Sequence, residues 1–484
     1  MESRVRDTDL DVIVIGCGMS GLATGIRAAL DGKRVLILES HNAAGGLNGF
    51  YFQAGRKLDV GLHAVTNYLE RGEKGPLSKI FRQLRLSRDA FVLAPQFGSR
   101  IAFPGVNLRF TNDFEQLESD VAEHFPTQVD GFRKLRKAVL EFDALDLSAP
   151  GQSAREVLKA HIPDSLLEDM LLCPLMYYGS SWEHDMDFGQ FVTLWRAIFE
   201  EGFGRPVEGV RVIIRALLNK YRELGGERRM KCRVSRILKE GNRAVGVELA
   251  NGELLYARRI ISTIGAPETF ALSGQTTQSA GGGTTQNGAT VGRLSFVETI
   301  HVLDELPEQL GLEETIVFFN STDRFAYEQA VDEVDLRSGV ICCPNNYAYA
   351  DGAALPETWL RVTALANYAK WTQMESDAYV AAKASWSERI LEQAISVLPR
   401  ADLEKIRGRT QHHDMFTPRT IERYTGHFGG AVYGSPEKFR TGETPVKHLY
   451  IAGTDQGFLG IVGAMLSGIS VANLHIVGSE LRDE

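Results

Sequence analysis

The sequence predicts an α/β protein in which a parallel-sheet domain is interrupted twice by a second, α+β domain. Three observations predict it. Near the N-terminus a β-branched run passes at once into a glycine cluster and an amphipathic helix; near the C-terminus another strand, glycine and helix follow one another; and between them lie long stretches with neither pattern. At 484 residues, 44% hydrophobic and 24% charged, the chain has the length and composition of two or three globular domains.

Asp11-Val12-Ile13-Val14-Ile15 has the β-branched character of a strand buried on both faces. It leads directly into Gly16-Cys17-Gly18-Met19-Ser20-Gly21, after which Leu22, Ile26 and Leu30 recur at four-residue spacing and Gly32 closes the helix. Lys33 to Leu38 reads as the second strand, with Glu39 at its end, 18 residues beyond Gly21. In such a unit Gly16 allows the tight turn, Gly18 lets the backbone approach a pyrophosphate, and Gly21 permits close helix–strand packing. The helix N-terminus, Ser20 included, offers N–H groups and partial positive charge to phosphates. Glu39 can accept hydrogen bonds from ribose hydroxyls and disfavours a 2′-phosphate. A lone G-x-G-x-x-G occurs by chance in a chain with 48 glycines; strand, glycines, helix, strand and acid in this order read as a dinucleotide site.

The middle of the chain suits a returning half of the same domain. A helix over Val212 to Leu224, strands at Met230–Val234 and Ile260–Thr263, and a strand with hairpin turn at Val245–Gly252 are expected. Lys447 to Ile451 reads as a final strand ending at Gly453-Thr454-Asp455, and Gly460 to Gly478 as a buried helix too rich in small and polar residues to face lipid. These pieces divide the chain into a Rossmann-type domain over 1–79, 205–274 and 415–484 and a substrate domain over 80–204 and 275–414. Ser273 to Gly292, rich in Gly, Thr, Gln and Ser, reads as a surface loop at the crossing.

Composition excludes several classes. The net charge of -9 argues against a nucleic-acid binder, and the basic stretch at Arg133, Lys134, Arg136 and Lys137 reads as a solvated helix face. Five cysteines without CxxC spacing fit a reducing cytosol, adjacent Cys342 and Cys343 reading as buried strand residues. A polar N-terminus argues against a signal peptide. Glu183-His184-Asp185 reads as a surface turn rather than a metal site, so no metal is expected. The expected location is the cytoplasm, with transient contact at a membrane surface.

Ala43-Ala44-Gly45-Gly46-Leu47-Asn48-Gly49, soon after Glu39, resembles the second glycine turn of flavoproteins with two dinucleotide-binding motifs, although Leu47 and Asn48 stand where those families carry a basic residue. Gly55 to His63 resembles their segment beside the flavin, and Thr417-Pro418-Arg419-Thr420 with Tyr424 and Gly430 to Gly434 resembles a stretch of isomerase and saturase members. Taken together, the chain resembles the phytoene desaturase, carotenoid isomerase and retinol saturase group of FAD oxidoreductases. The resemblance implies non-covalent FAD on Gly16, Gly18, Ser20, Gly21, Glu39, Gly45, Gly46 and Leu47. Val234 would meet the adenine, Gly453 and Asp455 the ribityl chain, and Ile461 and Gly463 the flavin edge. It implies an apolar isoprenoid substrate, with hydride exchange at flavin N5 and His63 and Arg419 as candidate catalytic residues. Tyr177, Tyr178 and Trp182 are read either as tunnel lining or as core. A flavin amine oxidase, or a prenyl-lipid escort protein on the same fold, are the alternatives.

Overall fold

The computed structural model describes residues 10–61, 64–68, 70, 74–144, 151–275, 289–350, 353 and 355–478. His63 therefore lies outside the described residues, as do residues 276–288 of the expected surface loop.

Leu10–Ile15 occupies the middle of the first sheet, where Val12, Ile13 and Val14 are fully buried. It runs parallel to Val35–Leu38 on one side and to Leu254–Ser262 on the other. Glu227–Arg229 extends the sheet beyond Val35–Leu38, and Leu449–Ile451 lies parallel beside residues 260–262. The earlier part of Leu254–Ser262 runs antiparallel to Arg243–Leu249, which in turn pairs with Val234–Glu240. One long strand thus belongs to a parallel ladder at its end and to a meander at its start.

The expected strand Met230–Val234 is not formed as such. The chain leaves the sheet after Arg229, turns at Lys231 with φ +56°, and enters the next strand only at Val234. The amides of Lys231 and Cys232 donate to the carbonyls of His41 and Glu39 at 3.0 and 2.8 Å, so this stretch serves the loop after the second strand instead of a ladder.

The helices Met19–Ala29 and Gly460–His475 cover one face of this sheet within a common apolar cluster. Their small residues set the distance between them: a Cβ on Gly468 would fall 2.2 Å from the Ser20 carbonyl, and the Thr24 hydroxyl donates to the Gly468 carbonyl at 3.2 Å. The apolar C-terminal run is therefore consumed by helix–helix packing. No described helix is long and apolar enough to cross a membrane.

The second sheet has the order Thr410–Phe416, Ser295–Leu303, Thr358–Ala366, Ser338–Cys342, Ile316–Asn320, Ser99–Phe103, Val106–Phe110. It is antiparallel apart from Ile316–Asn320 beside Ser99–Phe103. Both faces are covered, and successive side chains alternate between them as a pleated strand dictates. Phe318, Val340 and Cys342 join the cluster formed with Ser165–Gly179 and Phe188–Trp195; Phe319, Ile341 and Cys343 join the one formed with Ser376–Ser396.

Ser165–Gly179 is anchored by Asp169, which is wholly buried. Its carboxylate accepts from Arg155 Nη1 at 2.8 Å, Arg324 Nε at 2.7 Å and the Phe325 amide at 3.1 Å. Burial alone would raise this carboxyl; the donors outweigh it and hold the group below the usual carboxylate range. The far end of the same helix delivers Tyr177 and Tyr178 to the space between the two sheets.

Candidate cofactor and substrate cavity

That space is a cavity of about 880 Å³, toward the upper end of the roughly 300–1,000 Å³ usual for ligand sites. The first glycine turn forms one wall. Gly16 has φ +104°, and Gly21 approaches so closely that an added Cβ would lie 2.1 Å from the Gly16 carbonyl oxygen. Gly18 is different: at φ −80° its conformation suits any residue, and the nearest atom to an added Cβ is the Gly45 oxygen at 3.9 Å. Its missing side chain leaves room in the cavity, not in the protein. The second turn, with Gly45 at φ +130° and Gly46 at φ +56°, bridges onto Gly18 and encloses the same space.

The residues present fit a dinucleotide. The helix Met19–Ala29 has neither a capping side chain nor an acid in its first turn, and the Ser20 hydroxyl, buried at the cavity wall, has no partner. Gly460–His475 likewise begins at the cavity without a side-chain cap or an acid. Two uncapped helix N-termini facing one cavity suit a ligand carrying negative charge at two separated points. Glu39 is fixed by the amides of Cys17 and His41, both at 2.8 Å, and its carboxylate lines the cavity.

Gly16, Gly18, Ser20, Glu39, Gly45, Gly46, Leu47, Val234, Gly453, Asp455 and Ile461 all line this one cavity. Gly21 and Gly463 stand behind the wall, where a Cβ on Gly463 would lie 3.1 Å from Phe458 backbone. Asp455 is 1% exposed. Its Oδ2 accepts from the Ala266 amide at 2.6 Å, and its Oδ1 from the Ser435 amide at 2.8 Å and from Lys438 Nζ at 3.2 Å. Burial pushes the Lys438 ammonium below its ordinary range despite the carboxylate beside it.

Arg419 is not brought to the cavity. Its guanidinium lies 4.9 Å from the Tyr379 ring centroid and donates to the Met374 carbonyl, while Ile421, Glu422 and Tyr424 of the same helix, Pro418–Thr425, face the cavity. Trp182 is also elsewhere, donating to the Pro436 carbonyl at 3.0 Å. Among the described residues no group of His, Cys, Asp or Glu is arranged to hold a metal ion.

At the end away from the glycine turns the cavity is apolar. Tyr177, Tyr178, Tyr433, Phe296, Val340 and Leu459 line it. The tyrosine hydroxyls are already engaged: Tyr178 donates to the Ala64 carbonyl, Tyr433 to the Tyr177 carbonyl, and Tyr177 shares a hydrogen with Ser338 at 2.9 Å. Burial raises all three phenols. Glu298 also borders the cavity, but Arg361 clamps it by two bonds of 2.9 Å and the Gly61 amide donates to it at 3.1 Å. Sequence reasoning missed Phe296, Glu298, Tyr433 and Leu459. Glu298 and Arg361, the one acid and the one arginine of their strands, were an available signal, and Tyr433 lies within the resembling stretch Gly430 to Gly434.

The fold and cavity define a flavoprotein of the two-domain oxidoreductase class, and the comparisons agree. The family described as flavin containing amine oxidoreductase matches residues 19–289, and the chain belongs to that family. It is similar to all-trans-retinol 13,14-reductase from Danio rerio, at 25% identity over 98% of this chain and 88% of that one. It is also similar to prolycopene isomerase 2 from an Oncidium hybrid cultivar, at 24% identity over 54% of this chain and 49% of the relative. Phytoene desaturase (lycopene-forming) from Pantoea ananas matches at 26% identity over 53% of this chain and 56% of its own. The chain thus spans about half the length of the prolycopene isomerase it matches. Among solved structures, an oxidoreductase from Methanosarcina mazei superposes with a TM-score of 0.64 at 18% identity, over 96% of this chain and 100% of that one; at that identity the likeness establishes the fold. The cofactor of this protein is FAD.

Proposed function

We propose that the protein acts on carbon–carbon bonds of a long apolar isoprenoid of the carotenoid or retinoid type, forming, shifting or saturating a double bond. The observation that carries this reading is the apolar end of the cavity, where every tyrosine hydroxyl is bound to the protein itself and the bordering carboxylate is neutralised by Arg361. Rings and aliphatic side chains remain to meet a substrate there. Burial of a polyprene against them is favourable by roughly 25 cal/mol per Å² of apolar surface. An amine would find no unpaired negative charge among these residues.

Bound FAD supplies the hydride chemistry; the protein positions the substrate and excludes water. Glu39 and the two glycine turns hold the adenosine and pyrophosphate portions, and the apolar residues orient the substrate chain. His63, outside the described residues, is the proposed catalytic side chain.

Substrate of this kind resides in a bilayer, so the reading includes transient docking at an anionic membrane surface. Val92 and Phe97 are 71% and 61% exposed, and Lys79, Arg82 and Arg85 are exposed in the same stretch. The FAD-loaded protein should change the absorption spectrum of a polyene presented in anionic liposomes, float with those liposomes, and release no peroxide with amines. Peroxide release with an amine, without polyene turnover, would move the assignment to amine oxidation.

A further inference from the structure

Neither glycine turn brings a cation to the cavity: Gly16-Cys17-Gly18-Met19-Ser20-Gly21 and Gly45-Gly46-Leu47-Asn48-Gly49 are both uncharged. The helix N-terminus at Met19 offers a pyrophosphate only about half an elementary charge. Five carboxylates line the cavity, against two arginines, Arg233 and Arg423, and no lysine among the described residues. A pyrophosphate held among so many acids gains most from a cation beside it.

Arg423 holds the position for that contact. It belongs to the last turn of Pro418–Thr425, the helix that packs against the short turn Gly46–Asn48. Its guanidinium lies 5.5 Å from the Tyr424 ring centroid, and that ring meets His41 edge-on with centroids 5.6 Å apart. The His41 amide in turn donates to Glu39 Oε1 at 2.8 Å. Arg423 is thereby tied on one side to the second glycine turn and on the other to the carboxylate for the ribose. It is exposed, lines the cavity and is ion-paired with no carboxylate among the described residues. The neighbouring Glu422 does not compete for it, since its Oε1 accepts from the Tyr368 hydroxyl at 2.7 Å.

Arg233 belongs to the adenosine end. It follows Lys231 and Cys232, whose amides donate to the His41 and Glu39 carbonyls, and it leads into Val234–Glu240, the edge strand of the first sheet. We infer that Arg423 is the cation that meets the pyrophosphate of bound FAD, so that a helix from the far end of the chain closes a site begun by the first fifty residues.

The test is ligand binding by full-length protein stripped of flavin, with FAD, ADP and riboflavin as probes. Arg423→Gln should bind FAD and ADP at least about tenfold more weakly, the size of a charge-assisted hydrogen bond, with riboflavin affinity and Tm at parental values. Added salt should weaken ADP binding less steeply in Arg423→Gln than in the parent, because one ionic contact is gone. Arg423→Lys keeps the charge and should keep the parental salt dependence. Parental ADP affinity in Arg423→Gln would overturn the assignment. So would a loss of riboflavin binding as large as that of ADP, which marks a displaced helix, or a larger loss of ADP binding in Arg233→Gln than in Arg423→Gln.

Discussion

Gly18→Val is expected to yield a folded, colourless protein. Gly18 sits at φ −80° and ψ −172°, extended backbone that valine adopts readily, and an added Cβ has no protein atom nearer than 3.9 Å. The two methyl groups would project into the cavity between the first and second glycine turns, where the pyrophosphate must come close to the backbone. Loss of FAD affinity should be at least about a hundredfold, some 2.7 kcal/mol, with circular dichroism and Tm matching the stripped parent. Retention of full yellow colour would mean that the cofactor takes another path. Gly21→Ala is the informative contrast. Its Cβ would lie 2.1 Å from the Gly16 carbonyl oxygen, a backbone atom that cannot step aside. Overpacking of that kind costs about 1–3 kcal/mol or more, so Gly21→Ala should lower Tm even without flavin present.

The two glycines were legible in sequence as one motif, and the structure separates their duties. Local patterns of this kind are readable because turn, helix start and strand lie within a few residues of one another, and each residue's reason is local. The second sheet was not readable in the same way. Its strands come from 99–110, 295–342, 358–366 and 410–416, and pairings such as Phe318 with Ile101 join positions far apart in the chain. Neither propensity nor spacing records such pairings. The strand expected at Met230–Val234 failed for a related reason: hydrogen bonds to His41 and Glu39, on a distant loop, decide the conformation at Lys231 and Cys232.

Arg419 shows a different limit. Resemblance located its segment, and that segment does line the cavity through Ile421, Glu422 and Tyr424. Arg419 stands in the first turn of Pro418–Thr425, whereas the cavity meets this helix only from Ile421 onward, and the Arg419 guanidinium is directed to Tyr379 and Met374. Tyr177 and Tyr178 illustrate an ambiguity that vanished on folding. Both readings of them, core and cavity lining, hold at once, since their hydroxyls bind the protein while their rings border the cavity.

The pair formed by Glu298 and Arg361 carries the other large expected effect. Arg361 is 1% exposed and Glu298 6%. Two bonds of 2.9 Å join them, Arg361 Nη2 also donates to the Asp59 carbonyl at 2.7 Å, and the Gly61 amide donates to Glu298 at 3.1 Å. Two strands of the second sheet thereby hold residues 59–61, whose last two members line the cavity. Arg361→Met removes the only side-chain cation hydrogen-bonded to Glu298 among the described residues and leaves its carboxylate buried. Breaking one partner of a buried pair costs about 3–5 kcal/mol, whereas replacing both by apolar residues is often neutral or stabilising. Urea denaturation should therefore show a loss of that size for Arg361→Met and a much smaller one for the double variant Glu298→Met with Arg361→Met. Because the clamp on residues 59–61 is gone in both, FAD affinity should fall in the double variant as well, even where stability returns. Equal stability losses in the single and double variants would show that the strands are held by their apolar packing and that the ion pair contributes nothing specific.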